Sequence, residues 1–144
     1  TKADGDTPPA FWDQLRPIRE ALKINVIANG EIWSEADAKR CMEVTGCDNI
    51  MIGRGAISLP NLGACIKHGN KPYTWEQTLN LLLSYTQKQV DDKKSDYLPG
   101  RIKQWFTYLN RQYPEADALF RELRVFKTAD EIVSVLNHAQ QSAQ

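Results

Sequence analysis

Several features that would quickly assign a function class are scarce in this sequence of 144 residues. It has only three cysteines, Cys41, Cys47 and Cys65, without a C-x-x-C pair, so buried free thiols are expected rather than disulfides or a zinc site. Eighteen basic side chains balance eighteen acidic ones, so a nucleic-acid contact would have to be a local patch. No apolar run approaches the roughly 20 residues of a membrane span. The first residues lack the apolar stretch of a signal peptide. We therefore expect a cytoplasmic protein without a membrane contact.

Hydrophobic residues make up 42% of the chain and charged residues 25%, which is typical of a globular protein. The first half alternates helical and strand patterns. The pattern predicts a helix over 12–22 with Asp13 as its cap, followed by a buried strand over 24–28. It then predicts a helix from Ser34 to Gly46 and a strand over 49–52. A turn at 53–55 and a helix opened by Pro60 complete the predicted order. Strand, glycine loop and helix, repeated twice, indicate parallel β/α units.

The second half shows no convincing strand pattern. Predicted there are a helix capped by Thr74 and running to about Val90, a charged loop over 91–96, and helices over 101–112, 116–124 and 128–140. Thr128 and Glu131 have the spacing of a capping box. The apolar stripe of the helix over 101–112 consists of Ile102, Trp105, Phe106 and Leu109, which we expect to face a helical core.

The two halves predict different fold classes, α/β followed by all-α. Two parallel strands cannot close a sheet, and a complete β/α barrel needs about 200 residues or more. Residues 1–72 are therefore expected to be the last part of a β/α (TIM) barrel, and residues 73–144 a C-terminal helical bundle domain. Because two strands and 144 residues are too few for a complete barrel, the chain is expected to be a fragment of a longer protein.

Two successive strand ends carry residues suited to a phosphate group. They are Asn29-Gly30-Glu31 and Gly53-Arg54-Gly55. Glycine permits close backbone approach, a following helix presents amide hydrogens, and Arg54 adds a charged fork, while Glu31 can accept hydrogen bonds from ligand hydroxyls. His68 and His138 are isolated in the sequence, so no metal site is predicted.

Several motifs resemble those of the flavin-dependent tRNA-dihydrouridine synthases. They are Val26-Ile27-Ala28-Asn29-Gly30-Glu31-Ile32, Thr45-Gly46-Cys47-Asp48 and Met51-Ile52-Gly53-Arg54-Gly55-Ala56. The opening Thr1-Lys2 is similar to the end of a His-Gly-Arg-Thr-Lys stretch in that family. Arg101-Ile102-Lys103-Gln104-Trp105 and Leu123-Arg124-Val125 are similar to the bacterial C subfamily. The resemblance covers nearly the whole chain.

The resemblance implies an FMN enzyme, re-reduced by NADPH, that converts a D-loop uridine of tRNA, at position sixteen in the C subfamily, to 5,6-dihydrouridine. It implies that Asn29, Gly30 and Glu31 line the ribityl-phosphate region of FMN and that Gly53 and Arg54 hold the phosphate. The tRNA contacts implied are Arg101, Lys103, Tyr108 and Arg124.

The resemblance also places the catalytic cysteine outside this chain. No catalytic residue is therefore assigned here, and the chain alone is expected to be inactive. Asp6 stands where relatives often have an aromatic residue. No obligate protein partner is predicted.

Two other function classes stay open from the residues alone. The glycine loops also permit a fragment of another FMN barrel oxidoreductase acting on a small molecule. The helical half also permits a free-standing helical interaction module. Between Pro99 and Pro114 the sequence holds Arg101, Lys103 and Arg111 and no acidic residue, which favours an RNA contact once the resemblance is considered.

Overall fold

The structure is a computed structural model that describes residues 10–91 and 95–142. The Thr1-Lys2 motif, Asp6 and the middle of the charged loop predicted over 91–96 lie outside the described residues. The chain divides into two compact units. One runs to Ala56 and includes Asn61–Lys71, and the other comprises Ile57–Pro60 and continues from Pro72.

The first unit begins with a 3-10 turn, Trp12–Gln14, that continues into helix α1, Leu15–Ala21. The predicted cap at Asp13 is wrong, because Asp13 lies inside the 3-10 turn and Phe11 precedes it as the capping residue. Pro17 falls in the first turn of α1, where its missing amide hydrogen costs no helical hydrogen bond.

A parallel pair of strands lies at the centre of the first unit. β1, Ile27–Asn29, pairs with β2, Asn49–Met51, with Ala28 opposite Ile50. The parallel pairing predicted from the strand–helix–strand order is confirmed. The predicted start of the first strand at Ile24 is wrong, since that side chain is 73% exposed and only Ala28 within β1 is buried.

Helix α2, Glu35–Thr45, connects the two strands and has the predicted ends. Ser34 Oγ accepts a hydrogen bond from the Asp37 amide at 3.1 Å, and Gly46 has the left-handed φ of +69° that a helix C-cap requires. The buried core beneath α2 contains Ala28, Ile32, Ala38, Cys41 and Cys47.

All three cysteines are buried and free, as predicted. Burial raises the pKa of the Cys41 thiol, and the neighbouring Cys47 adds to the effect. The buried Thr45 hydroxyl donates to the Cys41 carbonyl at 2.7 Å and accepts from the Cys47 amide at 3.1 Å. This polar side chain is therefore satisfied inside the core.

The segment after β2 is more helical than predicted. The expected turn at 53–55 is wrong beyond Gly53, because helix α3, Arg54–Ser58, starts directly at Arg54. Helix α4, Leu62–His68, begins after Asn61, so Pro60 lies just outside the helix that it was expected to open.

The regular elements described in the second unit beyond Pro72 are all helical. They are α5, Trp75–Asp91, a 3-10 turn, Ser95–Tyr97, α6, Leu98–Leu109, α7, Glu115–Leu123, and α8, Ala129–Ser142. Thr74 and Gln77 cap α5 reciprocally through two side-chain-to-amide hydrogen bonds of 2.9 and 3.3 Å. The predicted start of α6 at residue 101 is wrong, because Pro99 lies in the first turn of the helix, where proline is tolerated.

The core of the second unit is built from aliphatic side chains around Phe106. Fully buried there are Leu79, Leu82, Leu98, Ile102, Phe106, Leu109, Leu123, Ile132 and Leu136. Phe106 stacks on Phe120 and forms a T-shaped pair with Trp75, with centroid distances of 6.4 and 6.3 Å. The prediction that Trp105 is a core anchor is wrong, because its ring is only half-buried and borders a surface groove. None of the helices within residues 10–91 and 95–142 combines the length and apolar character needed to cross a bilayer.

The capping box at the start of α8 predicts a pH-dependent stability. Glu131 accepts hydrogen bonds from the Thr128 hydroxyl at 2.8 Å and from the Thr128 and Lys127 amides at 2.9 and 3.0 Å. These bonds, those of Thr128 foremost, lower the pKa of Glu131. A carboxyl group whose pKa is lowered by folding stabilises the fold above its ordinary pKa, and this contribution is lost as the pH falls through the lowered value.

We therefore expect Glu131→Gln to lower the melting temperature at about pH 7 and to lose its effect once the pH falls below the lowered pKa of Glu131. Thermal denaturation at several pH values measures this, with Glu122→Gln on the exposed side of α7 as the matched control. A pH-independent difference between Glu131→Gln and the unaltered chain would contradict the prediction.

Candidate functional site

The loop after β1 has a backbone conformation that fixes the Glu31 side chain. Gly30 and Glu31 have φ values of +109° and +52°, and the value at Glu31 is uncommon for a residue with a side chain. A Cβ atom at Gly30 would lie 2.9 Å from the Ala10 Cβ. The Trp12 indole donates to the Gly30 carbonyl at 3.0 Å. The loop is therefore held in a single turn that requires glycine at its first position.

The loop after β2 contains two glycines with different roles. A Cβ atom at Gly55 would lie 2.0 Å from the Ile32 carbonyl oxygen, so only glycine permits the two loops to approach this closely. For Gly53, no heavy atom of the described residues lies within 4 Å of the position a Cβ would take. Gly55 thus joins the two loops, while the backbone at Gly53 stays accessible.

An ion pair links the two loops. Arg54 Nη2 donates to Glu31 Oε1 at 2.7 Å, and the Trp33 indole donates to Glu31 Oε2 at 2.9 Å. The Arg54 guanidinium also lies over the Trp33 ring, 5.5 Å from its centroid. Three side chains from two loops therefore hold one another in place. The two charged ends remain partly exposed.

A cavity of about 220 Å³ lies between these loops, and all five residues predicted to contact FMN line it. They are Asn29, Gly30, Glu31, Gly53 and Arg54. The structure thus brings them together around one space. Gly55, which belongs to the predicted phosphate loop, lines the same cavity, and so does Trp33, which the sequence analysis missed. Trp33 follows Glu31 by two residues, but this spacing alone does not indicate a contact between the two side chains.

The donors around this cavity suit a phosphate group. The first amides of a helix have no partner within the helix, and α3 starts at Arg54. A guanidinium has five N–H donors, so the bond from Arg54 to Glu31 leaves others for an anion. Glu31, although acidic, is paired with Arg54 and keeps lone pairs that can accept from hydroxyl groups. The residues present therefore fit the phosphate and ribityl end of FMN.

The residues predicted to contact tRNA lie in two places on the second unit. Arg101 and Tyr108 line one groove on α6. Lys103 donates its ammonium to the Phe126 carbonyl in the segment between α7 and α8. Arg124 is exposed at the C-terminal end of α7. Lys103 and Arg124 do not line the groove that Arg101 and Tyr108 share.

Within residues 10–91 and 95–142, no group of three or more His, Cys, Asp or Glu side chains is arranged to hold a metal ion.

The sequence matches the family model of dihydrouridine synthase over residues 1–144. The chain belongs to the dihydrouridine synthase family. Dihydrouridine synthases are in general flavin-dependent, and their catalytic domain is a TIM barrel. The two parallel strands and following helices described above are consistent with a part of such a barrel.

Curated relatives in this family carry a more specific name. The chain is 66% identical over 140 residues to the tRNA-dihydrouridine(16) synthase of Shewanella oneidensis, covering 97% of this chain and 44% of the relative. It is 45% identical over 139 residues to the enzyme of that name from Vibrio vulnificus, covering 96% of this chain and 44% of the relative. It is 40% identical over 125 residues to that of Escherichia coli strain K12, covering 87% and 40%. The chain thus spans less than half the length of these dihydrouridine synthases.

The contact between the two loops predicts a large difference between two glycine substitutions in the first unit. Gly55→Ala forces a methyl group against a backbone carbonyl that cannot rotate away, so we expect destabilisation by about 1–3 kcal/mol or more. Gly63→Ala, in α4 with open space around it, should instead stabilise by about 0.4–1 kcal/mol. Urea denaturation followed by the reactivity of the buried thiols reports on this unit. Equal stability of the two variants would refute the close approach at Gly55.

Proposed function

We propose that the chain is part of an FMN-dependent tRNA-dihydrouridine synthase of the bacterial C subfamily, which reduces the uridine at position 16 of tRNA with NADPH. In this proposal residues 1–72 are the last part of the FMN-binding barrel, and residues 73–144 are a helical tRNA-binding domain. The setting would be the cytoplasm. The observation that carries the proposal is the 66% identity to a tRNA-dihydrouridine(16) synthase, which extends through both halves of the chain.

In the first unit, the proposed role of the two glycine loops is to bind and orient the cofactor. Arg54 would contact the phosphate while keeping its bond to Glu31, and the backbone at Gly53 would approach the phosphate oxygens. Glu31, with Asn29 and Gly30 beside it, would accept hydrogen bonds from the ribityl hydroxyls. When bound, FMN supplies the hydride that saturates the uracil ring. The pairing of Arg54 with both Glu31 and Trp33 supports a preformed site of this kind.

No residue of this chain is proposed as catalytic. Cys41, Cys47 and Cys65 are buried in the first unit, and burial raises the pKa of the Cys41 thiol, which keeps it protonated. A buried thiol cannot reach a flipped uridine. The chain alone should therefore form no dihydrouridine.

The test of the cofactor role uses the complete protein that carries this chain. Arg54→Ala removes charge-assisted hydrogen bonds worth about 1.5–3 kcal/mol, so FMN should bind about 10- to 150-fold more weakly. Dihydrouridine at position 16 of tRNA from a strain lacking the modification should fall in parallel and recover in excess FMN.

The matched control for this test is Lys39→Ala, an exposed cation of the same unit that pairs with Glu35 at 3.8 Å. Its FMN content should equal that of the unaltered protein. A complete protein that modifies no tRNA uridine would refute the proposed function. Unchanged FMN binding by Arg54→Ala would refute only the phosphate role of this residue.

The tRNA role predicts salt-dependent binding by the 144-residue chain. With about three or four phosphate contacts, the slope of log affinity against log salt should be about −3. Arg101→Ala should weaken binding and reduce the slope by about one. Arg121→Ala is the matched control, because this exposed arginine is paired with Asp117 on α7. Titration with a tRNA transcript at several salt concentrations measures both the affinity and the slope. An Arg101→Ala chain that binds like the control would contradict the role of Arg101.

A further inference from the structure

A groove on the second unit combines aromatic rings with one cation. It has a volume of about 350 Å³ and is lined by Ile57, Tyr85, Arg101, Gln104, Trp105 and Tyr108. This volume lies at the lower end of the range for small-molecule sites, about 300–1,000 Å³. Arg101, Gln104, Trp105 and Tyr108 follow the i, i+3, i+4, i+7 spacing of one face of α6. The groove is therefore a continuous feature of one helix, completed by Tyr85 from α5 and by Ile57.

The Trp105 ring is held in a fixed position at this groove. Its indole N–H donates to the Ile57 carbonyl at 2.8 Å, and its ring forms a T-shaped pair with Tyr85 at a centroid distance of 5.5 Å and an interplanar angle of 82°. The only polar atom of the indole is therefore already bonded. What the ring can still offer to a ligand is its π face.

The polar side chains of the groove select the charge of the ligand. Arg101 is exposed and donates one hydrogen bond to Gln89 at 2.9 Å, which leaves further N–H donors of the guanidinium for an anion. Gln104 offers both a donor and an acceptor. The six lining residues include no acidic side chain. A ligand that fits carries a flat ring for the aromatic wall and a negative charge for Arg101.

An RNA nucleotide has this combination, and only an unpaired one exposes the face of its base. Aromatic side chains that stack bases beside a cation that holds the phosphate are the usual means of binding single-stranded RNA. We infer that this groove binds one unpaired nucleotide of the RNA, with its base stacked on Trp105 and Tyr108 and its phosphate on Arg101. This inference rests on the proposed tRNA function, which it extends from phosphate contacts to a base contact.

The test uses the 144-residue chain and two fluorescent single-stranded RNA pentamers, pentauridylate and the same strand made abasic at all five positions. Stacking of one base is worth about 1–3 kcal/mol, so Tyr108→Ala should bind pentauridylate about 5- to 150-fold more weakly. The unaltered chain and the Tyr108→Ala chain should bind the abasic strand with equal affinity, because its phosphates are retained. Tyr97→Ala, which removes a 74% exposed tyrosine outside the groove, is the matched control and should change neither affinity.

Tyr108→Leu serves as a second variant in case Tyr108→Ala does not fold, since leucine keeps the apolar packing and removes the aromatic face. Equal binding of pentauridylate by the Tyr108 variants and the unaltered chain would overturn the inference. An equal loss on both strands would overturn it as well, because the effect would then not depend on the base. If Arg101→Ala weakens tRNA binding while the Tyr108 variants do not, the proposed tRNA function is retained and the binding of a base in the groove is overturned. A chain that binds no RNA overturns both.

Discussion

The close approach of Gly55 to the Ile32 carbonyl determines how the two loops of the first unit meet. It brings the loop after β1 against the loop after β2, and so places Glu31 and Arg54, 23 positions apart in sequence, at 2.7 Å. The ion pair itself is too exposed to hold the loops together, since pairs of this kind contribute about 0–1 kcal/mol. The backbone packing at Gly55 therefore comes first, and the ion pair between Arg54 and Glu31 depends on it. Packing at Gly55 sets the distance, and the ion pair then fixes the direction in which Arg54 points.

Features that depend on neighbouring residues could be predicted from the sequence. The caps at Ser34, Gly46 and Thr74 appear where expected, because a cap is a hydrogen bond or a φ value within one turn of the chain. Features that depend on the pairing of distant segments could not be predicted from the sequence. The strand predicted from Ile24 shrinks to Ile27–Asn29, since strand length is set by the partner and β2 is only three residues long. Helix α6 begins at Leu98 rather than at the predicted residue 101, because Pro99 is tolerated in the first turn of a helix.

The candidate site was predictable in its glycine loops but not in its contacts. Glycine at two strand ends indicated close backbone approach, and the five predicted residues do line one cavity. The bond of Trp33 to Glu31, and its ring beneath Arg54, could not be read from spacing, because an indole near a strand end is more often part of the core. The error at Trp105 has the same origin. This residue lies at the border of the apolar stripe of α6, where a small rotation of the helix decides between core and groove.

Two faces of α6 have different relations to the rest of the second unit. One face carries Arg101, Trp105 and Tyr108 and borders the groove. From another side of the helix, Lys103 donates to the Phe126 carbonyl, two residues beyond Arg124. The next residues, Lys127 and Thr128, donate their amides to Glu131, whose charge is favourable for Lys103. Lys103 and Glu131 thus hold both sides of the short connection that follows Arg124. Lys103 therefore fixes the backbone two residues beyond Arg124, and in the proposed tRNA contact it would act through this bond as well as through its own charge.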